Sequence, residues 1–152
     1  MDNPPRNKPR QSLEAELGEQ LNALLSAAHA LNVRSAAQFD SSLQPAAFHL
    51  VRWLYSYGPT NAATLAASTA MDRSSVTRLV KQLQALDYVT REVSPKDGRE
   101  ILLTLTETGQ QRMKHALAEK ESAYYERLSS WTDTELNEFI RMLRHFNGFS
   151  KR

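Results

Sequence analysis

Residues 72–106 read DRSSVTRLVKQLQALDYVTREVSPKDGREILLTLT, and the apolar period changes once inside them. Val76, Leu79, Val80, Leu83 and Leu86 recur at steps of three and four, which is one face of a helix. Asp72 stands where the N-cap of that helix is expected. After Asp87 the run 88–93 is rich in strand formers. Ile101, Leu103 and Leu105 then alternate along a second strand. Between the strands, Ser94-Pro95-Lys96-Asp97-Gly98-Arg99 is a turn cluster with the Asp-Gly pair that favours hairpins. The stretch is a helix followed at once by a β-hairpin with a charged tip, spanning 88–105.

The neighbouring segments extend the pattern. Asn61 suits the cap of a short helix through Leu65 to about Ser68. Gln44-Pro45 suits an earlier helix start, with Pro45 at the first helical position. Its stripe is Ala47, Phe48, Val51, Leu54 and Tyr55, and Tyr57-Gly58-Pro59 ends it. Helix, helix, helix, strand, turn, strand is a winged helix-turn-helix arrangement, whose second turn helix enters the DNA major groove. Upstream, Leu13, Leu17, Leu21, Leu24, Ala28 and Leu31 mark one long amphipathic helix that fades near Phe39. Downstream, Thr106 caps a helix through Met113, Leu117, Tyr124 and Leu128 to about Trp131. Thr132 and Glu135 form a capping box for a last helix with Leu136, Phe139, Ile140, Leu143 and Phe146.

The expected fold is mainly α with a small β-hairpin. Residues 1–11 are polar and Pro-rich without periodicity, and a disordered basic tail is expected there. Residues 12–152 are expected to form a single domain. Within it, 43–105 is the winged helix-turn-helix, and 12–40 with 106–150 is a helical dimerisation region. A winged helix cannot cover all of Leu13, Leu17, Leu21, Leu136, Phe139, Leu143 and Phe146, and apolar patches of that kind mark an interface. A homodimer follows as the expectation.

Composition narrows the function classes. The 152 residues are 41% hydrophobic and 24% charged, as in ordinary globular protein. There are 0 Cys, which excludes disulfides, thiol catalysis, cysteine-ligated zinc and thiol redox sensing. No apolar run approaches the ~20 residues of a membrane helix, and the first residues lack a signal-peptide core. No membrane association and a cytoplasmic location are expected. The net charge is only +2, but it is uneven: residues 13–51 carry −3 and residues 52–99 carry +3. A basic middle third suits a polyanion, although a charged face is also commonly just solvated.

The helix after Asp72 separates these readings. With Ser74 at zero, Arg78 falls near about 40°, Lys81 near about −20° and Thr77 near about −60°. The apolar residues lie on the opposite side. No acid follows Asp72 on the polar side. Arg and Lys bond guanine edges in the major groove, and Ser or Thr bond bases or phosphate. Asp72 is also expected to leave a helix N-terminus with free N–H groups for phosphate. At the hairpin tip, Lys96 and Arg99 stand on a thin loop that fits a minor groove. Asp97 is expected to hold Arg99 by a salt bridge.

These residues resemble the MarR (multiple antibiotic resistance regulator) family of bacterial transcriptional regulators, most strongly over 43–109. Leu65-Ala66, then Met71-Asp72-Arg73-Ser74-Ser75-Val76-Thr77-Arg78-Leu79-Val80, resembles its helix-turn-helix core. Tyr88-Val89-Thr90-Arg91, Asp97-Gly98-Arg99 and Leu103-Thr104-Leu105-Thr106 with Gly109 resemble its wing signature. The resemblance implies a homodimer on a pseudo-palindromic double-stranded DNA operator. It implies regulation of transcription, with repression as the first expectation, and release by a small aromatic effector held between the dimer region and the winged helix. It places DNA contacts on Arg73, Ser74, Ser75, Thr77, Arg78 and Lys81, and the wing arginine on Arg99 with Asp97 as support. One departure is Thr69-Ala70-Met71, where many relatives have Gly before the apolar residue. Ala70 fits less well if the backbone there needs positive φ.

Other residues have two readings each. His29, His49, His115 and His145 show no metal-ligand spacing, and a structural or exposed role is the simpler reading. His29, His49 and His115 are also candidates for an effector cavity. Trp53, Tyr57 and their aromatic neighbours are core residues on the simpler reading and cavity wall on the sharper one. Arg52 either pairs an acidic effector or is solvated. No metal site and no cofactor are expected. There is no nucleophile elbow around Ser74-Ser75, no Gly-rich phosphate loop and no convergent carboxylate pair. The chain is therefore read as no enzyme, with no catalytic residues. The rival function is a winged helix used only for protein contacts, without sequence-specific DNA binding. RNA is a poorer partner, because a recognition helix fits the B-form major groove and not the A-form one.

Overall fold

Asn7 opens the first helix of the computed structural model, which describes residues 7–148. Its side chain accepts the Arg10 N–H at 3.0 Å, and α1 runs Lys8–Asp40. The expected unstructured tail is therefore corrected over 8–11. Pro9 sits in the first turn, where a missing N–H costs nothing, and Arg10 pairs with Glu14 at 3.1 Å one turn on. Residues 1–6 of that tail lie outside the described residues. Asp40 ends the helix by accepting the Ser42 N–H and hydroxyl at 2.9 and 2.6 Å.

The next elements are α2 (Pro45–Tyr57), α3 (Ala62–Thr69), α4 (Arg73–Ala85), β1 (Val89–Val93) and β2 (Ile101–Leu105). The helix after the hairpin is α5 (Glu107–Leu128), and the last is α6 (Asp133–Phe146). Local chemistry sets most boundaries. Pro45 opens α2, Asn61 caps α3 through the Thr64 N–H, and Asp72 caps α4 through the Ser75 N–H. Thr106 receives the Gly109 N–H at 3.0 Å at the start of α5. Thr132 and Glu135 make the capping box of α6.

β1 and β2 pair antiparallel with Val89 opposite Leu105 and Val93 opposite Ile101. Thr60 adds a short third edge, exchanging both backbone hydrogen bonds with Leu103. This ties the α2–α3 link to the hairpin. The core lies between α2, α4 and the hairpin. Leu50, Leu54, Leu65, Val76, Leu79, Leu83 and Leu103 are buried there. Phe39 of α1 is fully buried and meets the Tyr88 ring edge-on at 4.8 Å. Met113, Ala116 and Leu117 bring the first half of α5 into the same core.

The chain divides into two compact units, with the boundary between Ala118 and Glu119. The sequence led us to expect one domain over 12–152. The first unit contains the winged helix with α1 and the first part of α5. The second contains the end of α5 and α6, where Trp131 packs edge-on against Phe139 at 5.5 Å. α5 stops at Leu128 rather than near Trp131, and the Ser129 hydroxyl donates back to the Glu126 carbonyl at 2.8 Å. No residue of α6 is buried. No described helix is long and apolar enough to cross a membrane.

Ala70 is left-handed, with φ 54° and ψ 36°. It closes α3 by a Schellman-type turn, with the Met71 N–H donating to the Ala66 carbonyl at 3.0 Å. A β-carbon in this conformation costs about 1–2 kcal/mol. Glycine removes that strain but adds about 0.4–1 kcal/mol of unfolded-chain entropy. Relief of strain outweighs the added entropy. Ala70→Gly is expected to stabilise the protein by about 0.5–1 kcal/mol, read as a higher urea midpoint at unchanged m-value. A lower midpoint would show that Ala70 is not strained.

Candidate nucleic-acid interface

α4 presents two chemically distinct sides. Val76, Leu79, Val80 and Leu83 are buried, while Arg73, Ser74, Thr77, Arg78 and Lys81 are exposed and Ser75 is half-buried. No acid lies within α4 itself. The hairpin tip adds exposed Lys96 and Arg99. Among the described residues, none of these five cations has an ion-pair partner.

The start of α4 differs from expectation. The Asp72 carboxylate accepts the Ser74 hydroxyl at 2.5 Å, the Ser75 hydroxyl at 2.6 Å and the Ser75 N–H at 2.8 Å. These bonds, the Ser74 hydroxyl first, hold its carboxyl far below the usual carboxylate range. The cap is therefore charged at every ordinary pH. Its stabilising contribution is present above the unfolded carboxylate value and is lost only as pH falls toward the lowered one. The carboxylate takes the Ser75 N–H and sets a negative charge at the helix N-terminus, which disfavours a phosphate there. The Thr77 hydroxyl also gives its proton to the Arg73 carbonyl, at 2.9 Å. In this arrangement Ser74, Ser75 and Thr77 offer acceptor oxygens, which suit base amino groups and not phosphate. Arg73, Arg78 and Lys81 are the donors of the face.

The wing turn is folded on itself. Ser94 is buried, and its Oγ accepts the N–H groups of Lys96 and Asp97 at 3.3 Å. The Ser94 N–H donates to the Glu100 carbonyl at 2.9 Å. Asp97 receives the Arg99 backbone N–H at 3.0 Å, so it shapes the turn. The expected Asp97–Arg99 salt bridge is not among the ion pairs of the described residues. An Asp two residues before a backbone N–H closes an Asx turn more readily than it reaches a long side chain. Among the described residues the Arg99 guanidinium has no ion-pair partner, on a loop tied by these turn bonds.

Further contacts around Asn61 and around Tyr88 fix this frame, and the sequence reading missed them. Asn61 caps α3 with its oxygen and donates its amide N–H to Glu100 at 2.6 Å, joining the helix-turn-helix to the wing. The Tyr88 hydroxyl donates to Asp40 at 2.7 Å, and Arg112 lies over the Tyr88 ring while donating to the Phe39 carbonyl at 2.8 Å. The Ser42 hydroxyl and then the Tyr88 hydroxyl lower the Asp40 carboxyl below its usual range. Burial first, then Asp40, raises the Tyr88 phenol. Such pairs are far apart in sequence and carry no local signature.

The pattern of the MarR family matches residues 41–100. Over 121 residues the chain is 30% identical to the uncharacterized HTH-type transcriptional regulator YxaD of Bacillus subtilis, spanning 76% of this chain and 85% of that one. The chain belongs to the MarR family. It is 28% identical over 107 residues to the HTH-type transcriptional repressor NicR of Pseudomonas putida, covering 69% of this chain and 68% of NicR. It shares its fold with a MarR family protein from Bacillus stearothermophilus, at a TM-score of 0.66 and 21% identity over 89% and 95% of the two chains. This MarR-family chain is thus a DNA-binding transcriptional regulator of the winged helix-turn-helix type. The relatives YxaD and NicR are transcriptional regulators by name.

The candidate effector residues divide. A cavity of about 330 Å³ between α1 and α2 is lined by His29, His49 and Arg52, with Asp40 and an apolar wall that includes Val33, Ala36, Leu43 and Phe48. Arg52 also donates to the Ser56 hydroxyl. The cavity does not include Trp53, Tyr57 or His115. Trp53 and Tyr57, one turn apart on α2, meet in a tilted ring contact with centroids 5.0 Å apart. His115, on α5, lines a separate shallow depression with Gln38, Gln111 and Arg112. Helical position accounts for much of the split: Pro45, Phe48, His49 and Arg52 span one arc of α2 facing the cavity, Trp53 lies just past His49 at its edge, and Tyr57 is turned further round. Among the described residues no cluster of His, Asp and Glu is arranged to hold a metal ion.

Proposed function

We propose that the chain acts as a homodimeric repressor on a two-fold-symmetric operator and is released when a small aromatic effector fills the α1–α2 cavity. The observation that carries the DNA part is the acid-free polar side of α4, with Arg73, Arg78 and Lys81 exposed beside a wing carrying Lys96 and Arg99. In this reading α4 lies in the major groove and the wing enters the adjacent minor groove. Ser74, Ser75 and Thr77 serve as acceptors toward base amino groups. Asp97 supports the wing through its backbone. Repression is supported by the likeness to NicR, a repressor by name.

Dimerisation is supported by large apolar side chains left open to solvent. Leu13 and Leu25 of α1 are 64% and 67% exposed, and Phe146 of α6 is 63% exposed. The cavity falls in the size range of small-molecule sites and is mainly apolar with a few polar groups. An effector acts by binding one spacing of the two recognition helices better than another. Selection from a random duplex pool, with light scattering on the same sample, tests the reading. An enriched two-fold-symmetric site bound by a dimer is expected. No enrichment, or a monomer at micromolar concentration, would overturn it in favour of a protein-contact module.

A further inference from the structure

A winged helix docked on B-form DNA straddles a phosphate strand. Its recognition helix fills a major groove and its wing an adjacent minor groove. The ridge between those grooves is sugar-phosphate backbone. The surface between α4 and the hairpin therefore faces phosphates.

In this protein that surface is a small cleft of about 90 Å³ lined by Ala62, Thr77, Val80, Arg91, Ile101 and Leu103. Four of the six are apolar. Thr77 has given its hydroxyl proton to the Arg73 carbonyl. Phosphodiester oxygens are acceptors and need a donor. Arg91 is the donor that remains. It sits on β1 opposite Leu103, in line with Val89 and Val93, while Glu92 points to the other side of the hairpin. Its side chain is exposed and, among the described residues, has no ion-pair or hydrogen-bond partner. The cleft's apolar residues can support its methylene stem while the guanidinium reaches solvent.

We propose that Arg91 clamps a backbone phosphate of the duplex between the recognition helix and the wing. The inference rests on the docking described above and adds a residue outside the recognition helix and the wing tip. A phosphate contact fixes register and adds affinity without reading bases. Arg91 is thus an anchor, and base preference belongs to α4.

The test compares wild type, Arg91→Gln and Arg91→Lys on a duplex recovered by selection and on a random-sequence duplex of equal length. Affinity is titrated by anisotropy at several salt concentrations, and each protein is melted in parallel. Each phosphate contact contributes about 0.9 to the slope of log affinity against log salt. Arg91→Gln is expected to flatten the slope by about 0.9 for each engaged protomer. It should weaken both duplexes alike and leave the selected-to-random ratio and the melting midpoint unchanged. Arg91→Lys should keep most of the slope. An unchanged slope in Arg91→Gln, a changed ratio, or a loss of binding that tracks a lowered melting midpoint would each overturn the assignment. If wild type itself bound neither duplex with salt dependence, the docking would fall and the anchor with it.

Discussion

Gly109→Ala is expected to destabilise the protein by about 1–3 kcal/mol. Gly109 is buried near the start of α5, and a β-carbon there would lie 2.3 Å from the Tyr88 carbonyl oxygen and 3.2 Å from its carbon. Those atoms are backbone and cannot rotate aside. Alanine would gain about 1 kcal/mol of helix propensity. Overpacking against a fixed neighbour costs about 1–3 kcal/mol. The same carbonyl accepts the Thr106 N–H at 3.0 Å, and displacing it costs about 1 kcal/mol more. Repulsion and the lost hydrogen bond together exceed the propensity gain. Urea denaturation reads the loss directly. Because the Tyr88 carbonyl is at the root of the hairpin, the surviving folded fraction should also bind DNA less tightly. A variant as stable as wild type would show that α5 can slide away from the hairpin root.

The second large effect concerns the recognition helix. Arg78→Ala and Lys81→Ala should each weaken binding to the selected operator by about 1–3 kcal/mol where the side chain makes a bidentate base contact. Both side chains are exposed on α4 and lack ion-pair partners among the described residues, so truncation leaves no buried charge behind. Folding stability should stay within about 0.5 kcal/mol of wild type, as at ordinary surface positions. Base preference should relax at one operator position per half-site. Arg99→Ala should weaken binding with a milder dependence on sequence. Operator affinities of Arg78→Ala and Lys81→Ala both equal to wild type would remove α4 from the interface.

The winged helix was legible in the sequence because its signals are local. The α4 stripe, the Asp72 cap, the Asp97-Gly98 turn and the Thr132–Glu135 capping box each lie within a few residues. The Ala70 departure also pointed at a real feature, since the structure places that residue at positive φ. What escaped depends on chain segments that meet only after folding. Tyr88 reaches Asp40 across 48 positions, and Asn61 reaches Glu100 across 39. The cavity candidates illustrate the same limit. Aromatic content grouped Trp53 and Tyr57 with Arg52, but on the helix they stand about 100° and 140° round from it, and the rings pair with each other outside the cavity lining. At the tail, prolines suggested disorder over 1–11, whereas Pro9 is compatible with the first turn of a helix capped by Asn7.

The candidate DNA face shows both outcomes at once. The identity of its cations was readable, because an amphipathic helix fixes which side chains face outward. The state of its hydroxyls was not. Ser74, Ser75 and Thr77 spend their protons on Asp72 and on the Arg73 carbonyl, which changes them from donors to acceptors. In the proposed docking the division of labour then becomes specific: cations would meet phosphates and guanines, and hydroxyl oxygens would meet base amino groups.

In the proposed complex, two copies of α4 enter successive major grooves while their wings reach adjacent minor grooves. Dimethyl sulfate protection of the selected operator reads both grooves in one reaction, since guanine N7 lies in the major groove and adenine N3 in the minor. Two blocks of protected guanine N7 about 10 base pairs apart are expected, with adenine N3 protection beside each. Arg99→Ala should lose the adenine protection and keep the guanine blocks. Protection of a single block, or of adenines alone, would contradict this docking.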